Sequence, residues 1–316
     1  MSETKLPYRI LTLDGGGAKG FYTLGVLSEI EAMVGKPLCN CFDLIFGTST
    51  GAIIAALLAR GERTADVLRL YSKHVLMVMT PGAATERSEV LRQSAKTIFG
   101  KTKVTDFKTA IGIVATNWKD ERPLIFKASV EQAHGSKGSF VPFFGCSVAD
   151  AVTASCSAYP FFDTHTIKKT NGDVLELADG GFCANNPTLY AIADATLALN
   201  LEHKDLRVVS IGVGAYPAPS IFKKIGRVFG GWKLIRHGLN SDFLQKLMGT
   251  NTHSMEVLRS ILFKNVPTIR ISDTFKEPEL ATDFLEHDLT KLNRLVQKGR
   301  LSFGTYENVL KAALQS

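Results

Sequence analysis

FDLIFGTSTGAIIAALLARG, residues 42–61, is a strand-length apolar run that passes through small residues into an apolar helix and stops at Gly61. A glycine just past an apolar helical run is the usual stop signal, and a short run bounded by turn residues reads as a buried strand. The same grammar stands upstream: YRILTL (8–13) is β-rich, DGGGAKG follows, and Phe21, Leu24, Leu27 and Ile30 recur at helical spacing. Two successive strand–turn–helix units predict an α/β sheet covered by helices.

Working outward, residues 110–118, 123–130, 173–181 and 206–214 read as further strands, and Ser147 to Ser157 as a helix. Residues 80–103 are more polar, open on Pro81-Gly82 and carry only a weak apolar stripe, which fits either a flap or an ordinary surface helix. Beyond Ala215 the pattern turns helical and basic. We expect one domain over residues 1–316, with a core at about 8–214 and a helical region at about 215–316.

The chain has 316 residues, 45% of them apolar, and a formal charge of +7. That supports a sizeable core and an anionic partner, a phospholipid surface or a phosphate-bearing ligand. Nine basic residues against two acidic ones fall between Ile221 and Arg270, a candidate anion-binding surface. Five cysteines with no CxxC pair or companion histidines predict reduced thiols, no metal site and a cytosolic setting. MSETKLPYRI has no basic stretch leading into an apolar one, so export is not expected, and the apolar run Leu44 to Ala59 is too short to span a bilayer.

Gly47-Thr48-Ser49-Thr50-Gly51 matches G-x-S-x-G between strand and helix, the setting of a nucleophile elbow. Small neighbours allow a strained backbone that lifts Ser49 Oγ out of the sheet, and the helix N-terminus adds positive charge for an oxyanion. An idle serine in a tight turn has the same pentapeptide; the flanks favour the elbow. Gly15-x-Gly17-x-x-Gly20 also satisfies dinucleotide-binding spacing, but the second strand ends in Gly47-Thr48-Ser49 with no acid for a ribose. A better use of these glycines is an oxyanion hole, with Gly16 and Gly17 as donors and Lys19 adding charge.

A serine needs a base. None of the seven histidines (His74, His134, His165, His203, His237, His253, His287) stands in a glycine-rich strand-end context. Asp179 does: it ends LELAD before Gly180-Gly181, and a carboxylate in a dry site can take the serine proton directly. A turn-capping aspartate has the same local signature.

In order, DGGGAKG, GTSTG, ASCSAYPFF and LADGGFCANNP resemble the patatin-like phospholipase family from about Tyr8 to about Gly214. The resemblance implies a three-layer α/β/α sandwich with a mostly parallel central sheet, followed here by the basic helical C-terminal region. It implies Ser49 as nucleophile, Asp179 as base without a histidine, and Gly15, Gly16 and Gly17 as the oxyanion loop. Lys19, Gly47, Gly51, Gly180 and Asn186 are expected in support, with no metal and no cofactor. Lys19 stands where many members carry arginine, and the amides of Asn185-Asn186-Pro187 are expected to orient the Asp179 loop.

The activity so implied is phospholipase A type hydrolysis of membrane phospholipid esters. Some compact bacterial members resemble defence effectors switched on by a cyclic nucleotide, which predicts a peripheral protein at the inner membrane. A cyclic dinucleotide activator and self-association are further partners the resemblance admits; no nucleic acid is expected. The alternatives are a constitutive lipase and a nucleotide-sensing binding protein with a secondary hydrolase site.

Overall fold

The computed structural model describes residues 6–135, 137–168, 172–216 and 232–315, of which 232–242 as backbone only. Eight strands form one sheet: β1 (Tyr8–Leu13), β2 (Leu44–Thr48), β3 (Ala110–Asn117), β4 (Arg122–Lys127), β5 (His165–Lys168), β6 (Val174–Asp179), β7 (Leu206–Ile211) and β8 (Thr268–Ile271). The order is β5-β6-β3-β2-β1-β7-β8, with β4 paired to β3. The pairs β3–β2–β1–β7–β8 are parallel, whereas β3–β4, β3–β6 and β5–β6 are antiparallel.

The parallel strands are buried on both faces, so they read as continuous apolar runs. Alternate residues point to opposite sides. Leu11, Leu13, Ile45, Ile111 and Ile113 pack with α1 (Gly20–Val34) and α2 (Thr50–Arg60) in one core. Ile10, Leu44, Phe46, Val114 and Val208 pack with Ala191 and Ile192 of α7 (Thr188–Ala193) in the other. Helices on both faces of a mostly parallel sheet make the three-layer α/β/α architecture.

One register positions everything that follows. The last residue of β2, Thr48, lies opposite Val114, and the last residue of β6, Asp179, lies opposite Ala115. Neighbouring residues of β3 therefore bring the C-terminal ends of β2 and β6 together.

Residues 80–103 contain α4 (Ala84–Phe99), which follows α3 (Thr64–Met79) and packs beside α5 (Val148–Ser155). The apolar stripe of α4 is weak because its buried face includes Arg87 and Ser94 as well as Leu91, Ala95 and Phe99. Arg87 is satisfied by donating to the carbonyls of Phe161 (3.0 Å) and Pro81 (2.6 Å).

The region after Ala215 is not wholly helical. It holds α8 (Trp232–Leu262) and α9 (Leu289–Leu314), but β8 between them extends the sheet alongside β7. Among the described residues no helix is long and apolar enough to cross a membrane.

α9 lies on α1 at a crossing made by two glycines. A Cβ on Gly25 would strike the Val296 carbonyl, and one on Gly299 would strike that of Tyr22. Gly304, further along α9, has open space instead. Gly25→Val is expected to destabilise the fold by about 1–3 kcal/mol through overpacking. Gly304→Ala is expected to be neutral or to stabilise by up to about 1 kcal/mol. Denaturant titration of the two variants checks both signs.

Candidate active site

Ser49 sits between β2 and α2 with φ 53° and ψ −123°, a strained backbone for a residue with a side chain. The turn passes so close to its neighbours that a Cβ on Gly47 would strike the Gly51 carbonyl, and one on Gly51 that of Leu13. Ser49 N–H donates to Ser155 Oγ (2.8 Å), and Ser155 Oγ donates to the Val114 carbonyl (2.5 Å). Ser155, at the end of α5, lies in the ASCSAYPFF stretch of the resemblance but was given no role from the sequence.

Ser49 Oγ donates to Asp179 Oδ2 at 2.6 Å. The other carboxylate oxygen accepts the N–H of Gly181 (2.7 Å), at the start of α6 (Gly181–Ala184). Asp179 is 1% exposed, and burial pushes its pKa up to about 7 against the downward pull of those two hydrogen bonds. Gly180 lets the chain pass the Val114 carbonyl, which a Cβ there would strike. His165 pairs with Asp150 and His134 with Asp194, while His74 and His253 line the cavity without bonding either residue of the pair.

The glycine loop divides its tasks. Gly15 N–H donates to the Asn185 carbonyl (3.0 Å), so within the expected oxyanion loop its part is to hold the loop in place. Its missing Cβ lets the loop lie against Ser49 and Asn185. Gly16 and Gly17 line the cavity, and among the described residues their N–H groups have no partner. Lys19 is half-buried, its Nζ donates to Gln245 Oε1 (3.2 Å), and burial lowers its pKa to about 8.

Two neighbouring asparagines have different tasks. Asn185 Nδ2 donates to the Gly15 carbonyl (3.2 Å) and to Thr252 Oγ1 (2.8 Å), while its N–H donates to Asn251 Oδ1 (2.9 Å). Asn251 Nδ2 donates in turn to the Cys183 carbonyl (3.1 Å). Asn186 instead caps α7, its Oδ1 accepting from Thr188 N–H (3.0 Å) and Thr188 Oγ1 (2.5 Å). The hold of α8 on the Asp179 loop through Asn251 and Thr252 was invisible in the sequence.

The basic segment 221–270 is not one charged face. Arg270 is on β8, where its guanidinium grips the buried carboxylate of Asp14, Nη1 to Oδ1 at 2.8 Å and Nη2 to Oδ2, and also reaches Ser210 Oγ (2.8 Å). Arg259 is bonded to Glu256 (2.6 Å). Lys223, Lys224, Arg227, Lys233 and Arg236 lie outside the described side chains.

These groups open on a cavity of about 540 Å³. One end is apolar, walled by Ile53, Leu57, Val78, Leu91, Ala95 and Phe99; the other carries Lys19, Gln245, Thr252 and Ser272. A hydroxyl held on a buried carboxylate beside free N–H groups and an apolar channel suits acyl transfer from a lipid ester. A family model described as patatin-like phospholipase matches residues 11–192. The chain belongs to the patatin-like phospholipase family. It is a carboxylic ester hydrolase of the phospholipase type.

Among patatin-like relatives, the chain is 56% identical to the cUMP-AMP-activated phospholipase of Escherichia coli, over 97% of this chain and 93% of that one. It is 29% identical to a cGAMP-activated phospholipase of Escherichia coli strain TW11681, over 65% of this chain and 61% of that one. A cGAMP-activated phospholipase of Pseudomonas aeruginosa is 28% identical over 72% of this chain and 68% of its own. The first likeness takes in β8, α8 and α9, beyond the end of the family match.

Arg270→Met leaves the Asp14 charge buried beside the glycine loop with no partner. It is expected to cost about 3–5 kcal/mol of stability, and adding Asp14→Asn to recover part of it. Chemical denaturation of the single and double variants reads the difference.

Proposed function

We propose that the protein cleaves acyl esters of membrane phospholipids through Ser49 and Asp179, and that a cyclic dinucleotide switches it on. The observation that carries the reading is the 2.6 Å hydrogen bond from Ser49 Oγ to a buried carboxylate at the edge of an apolar channel. In this reading the acyl chain lies between α2, α3 and α4, and Ser49 Oγ attacks the ester carbonyl as Asp179 takes its proton. Gly16 and Gly17 N–H groups and the N-terminus of α2 hold the oxyanion. The proton passes to the departing lysophospholipid oxygen. Water then releases the fatty acid, with Asp179 again as base.

Regulation by a nucleotide is supported by the relatives named as cUMP-AMP- and cGAMP-activated phospholipases. The path from a nucleotide to the site is α8, because Asn251 and Thr252 hold Asn185, and Asn185 holds the glycine loop. The biological role that follows is a cytosolic defence effector acting peripherally on the inner face of its own cell's membrane. A constitutive lipase is the second reading; it would hydrolyse liposomes equally with and without nucleotide.

The test is release of fatty acid from liposomes by wild type, Ser49→Ala and Asp179→Asn, with and without cUMP-AMP. Either substitution is expected to lower kcat by at least about 10³-fold, and full turnover by a folded Asp179→Asn would end the dyad reading. Since the base acts ionised, kcat/KM of wild type is expected to rise with pH and level off above the Asp179 pKa of about 7. The stability sign is opposite. A raised carboxylate pKa favours the native state most below the unfolded value of about 4, and that contribution is lost as pH rises through about 7. Asp179→Asn is therefore expected to be at least as stable as wild type at pH 8, which separates lost chemistry from lost folding.

A further inference from the structure

Gly15, Gly16 and Gly17 have no side chains with which to hold their own loop, and glycine loses more conformational freedom on folding than any other residue. The hold comes from outside. Thr50 Oγ1 donates to the Gly17 carbonyl at 2.8 Å, and Tyr71 Oη, from the middle of α3, donates to the same oxygen at 2.7 Å. The next N–H, that of Ala18, donates to the Phe284 carbonyl (2.9 Å), so the Gly17–Ala18 peptide is gripped at both ends. On the other side of Gly17, the Gly16 carbonyl accepts from Lys19 N–H (3.2 Å). With both flanking peptides tied and φ at 57°, a conformation that favours glycine, little freedom is left to the Gly17 N–H.

Gly20 explains how two hydroxyls reach one carbonyl. A Cβ there would strike Thr50 Cγ2 and Tyr71 Oη, so the last glycine of the G-x-G-x-x-G spacing is the gap in which the two side chains meet. Thr50 is 4% exposed and Tyr71 2%, so bulk water does not compete for either bond. The Tyr71 ring stands edge-on to Phe21 of α1, with 5.2 Å between centroids. Burial pushes its phenol well above the ordinary range, which keeps it a donor.

We propose that Tyr71 and Thr50 are positioning residues of the oxyanion hole, which by holding the Gly17 carbonyl aim the Gly16 and Gly17 N–H groups at the oxygen that becomes negative as Ser49 attacks. The proposal rests on the phospholipase reading and adds what preorganises its donors. Thr50 directly follows the nucleophile, so its hydroxyl sets the separation of elbow and glycine loop, and Tyr71 ties both to α3, one wall of the cavity. Donors fixed before the reaction stabilise a developing charge without reorganising at the moment it forms. Their loss therefore falls on the transition state and spares the binding of the ester.

The experiment compares wild type with Tyr71→Phe, Thr50→Val and Thr50→Ser in the presence of cUMP-AMP. It reads kcat and KM on a water-soluble short-chain ester, folding by denaturant titration, and the rate at which an alkyl fluorophosphonate modifies Ser49. The phosphoryl oxygen of that reagent takes the place of the oxyanion, so its rate reports the loop and the nucleophile without a phospholipid.

Tyr71→Phe and Thr50→Val are each expected to lower kcat about ten- to a hundredfold with KM within about twofold, and to slow phosphonylation by a similar factor. Thr50→Ser keeps the hydroxyl and is expected to recover most of the turnover lost in Thr50→Val. A folded Tyr71→Phe with kcat and phosphonylation within about twofold of wild type overturns the proposal. So does a loss in Thr50→Ser as deep as that in Thr50→Val, which would make the part of Thr50 one of packing; this pair decides the matter if Tyr71→Phe does not fold. Absence of ester turnover in wild type, with Ser49 still phosphonylated and the variants slower, counts against the phospholipase reading and upholds the positioning.

Discussion

The register of β3 is the constraint on which the site depends. β2 runs parallel to it and stops opposite Val114, and β6 runs antiparallel and stops opposite Ala115. Two strands arriving from opposite directions thus end one residue apart, and the side chains just at those ends are Ser49 and Asp179. The Val114 carbonyl is used twice more: it accepts from Ser155, which receives the Ser49 N–H, and it faces the bare Cα of Gly180. A one-residue slip would turn every side chain to the other face of the sheet, so apolar packing on both faces fixes the geometry of the pair.

Two buried aspartates near the same loop show what the surroundings decide. Asp14 has the Arg270 guanidinium against it, which opposes the upward push of burial and holds the charge as a structural anchor. Asp179 has a hydroxyl and one backbone N–H, too little to offset burial, so its pKa rises to about 7. An arginine at that position would strengthen the fold locally and remove the basicity. The same dryness explains how a carboxylate can stand where a histidine stands in other serine hydrolases.

What could be read from the sequence follows from the physics of each signal. β1, β2 and β7 are central parallel strands, so both faces are apolar and each ends at glycines, which made them visible. Ser49 and Asp179 were visible for a related reason, since a strained or crowded turn admits only small neighbours, and Gly47, Gly51 and Gly180 each border a carbonyl. β5 and β8 are four residues long and carry Lys168 and Arg270, too short for a periodic pattern to outweigh the charge. Arg270 read as surface charge because its partner, Asp14, is 256 positions away. Asn251 and Thr252 act through hydrogen bonds across long separations, and no local pattern encodes those.

The C-terminal third of the chain completes the site it follows. Asn185 is the junction: its N–H and side-chain amide are held by Asn251 and Thr252 of α8, while its amide and carbonyl hold both sides of Gly15. The base loop and the glycine loop therefore share one anchor, and that anchor is set by the inner face of α8. A ligand or surface with different affinities for two positions of α8 would bias both loops together, because moving Asn185 alone would break its bonds to Gly15. Coupling needs no second pathway through the sheet, whose register is locked on both faces.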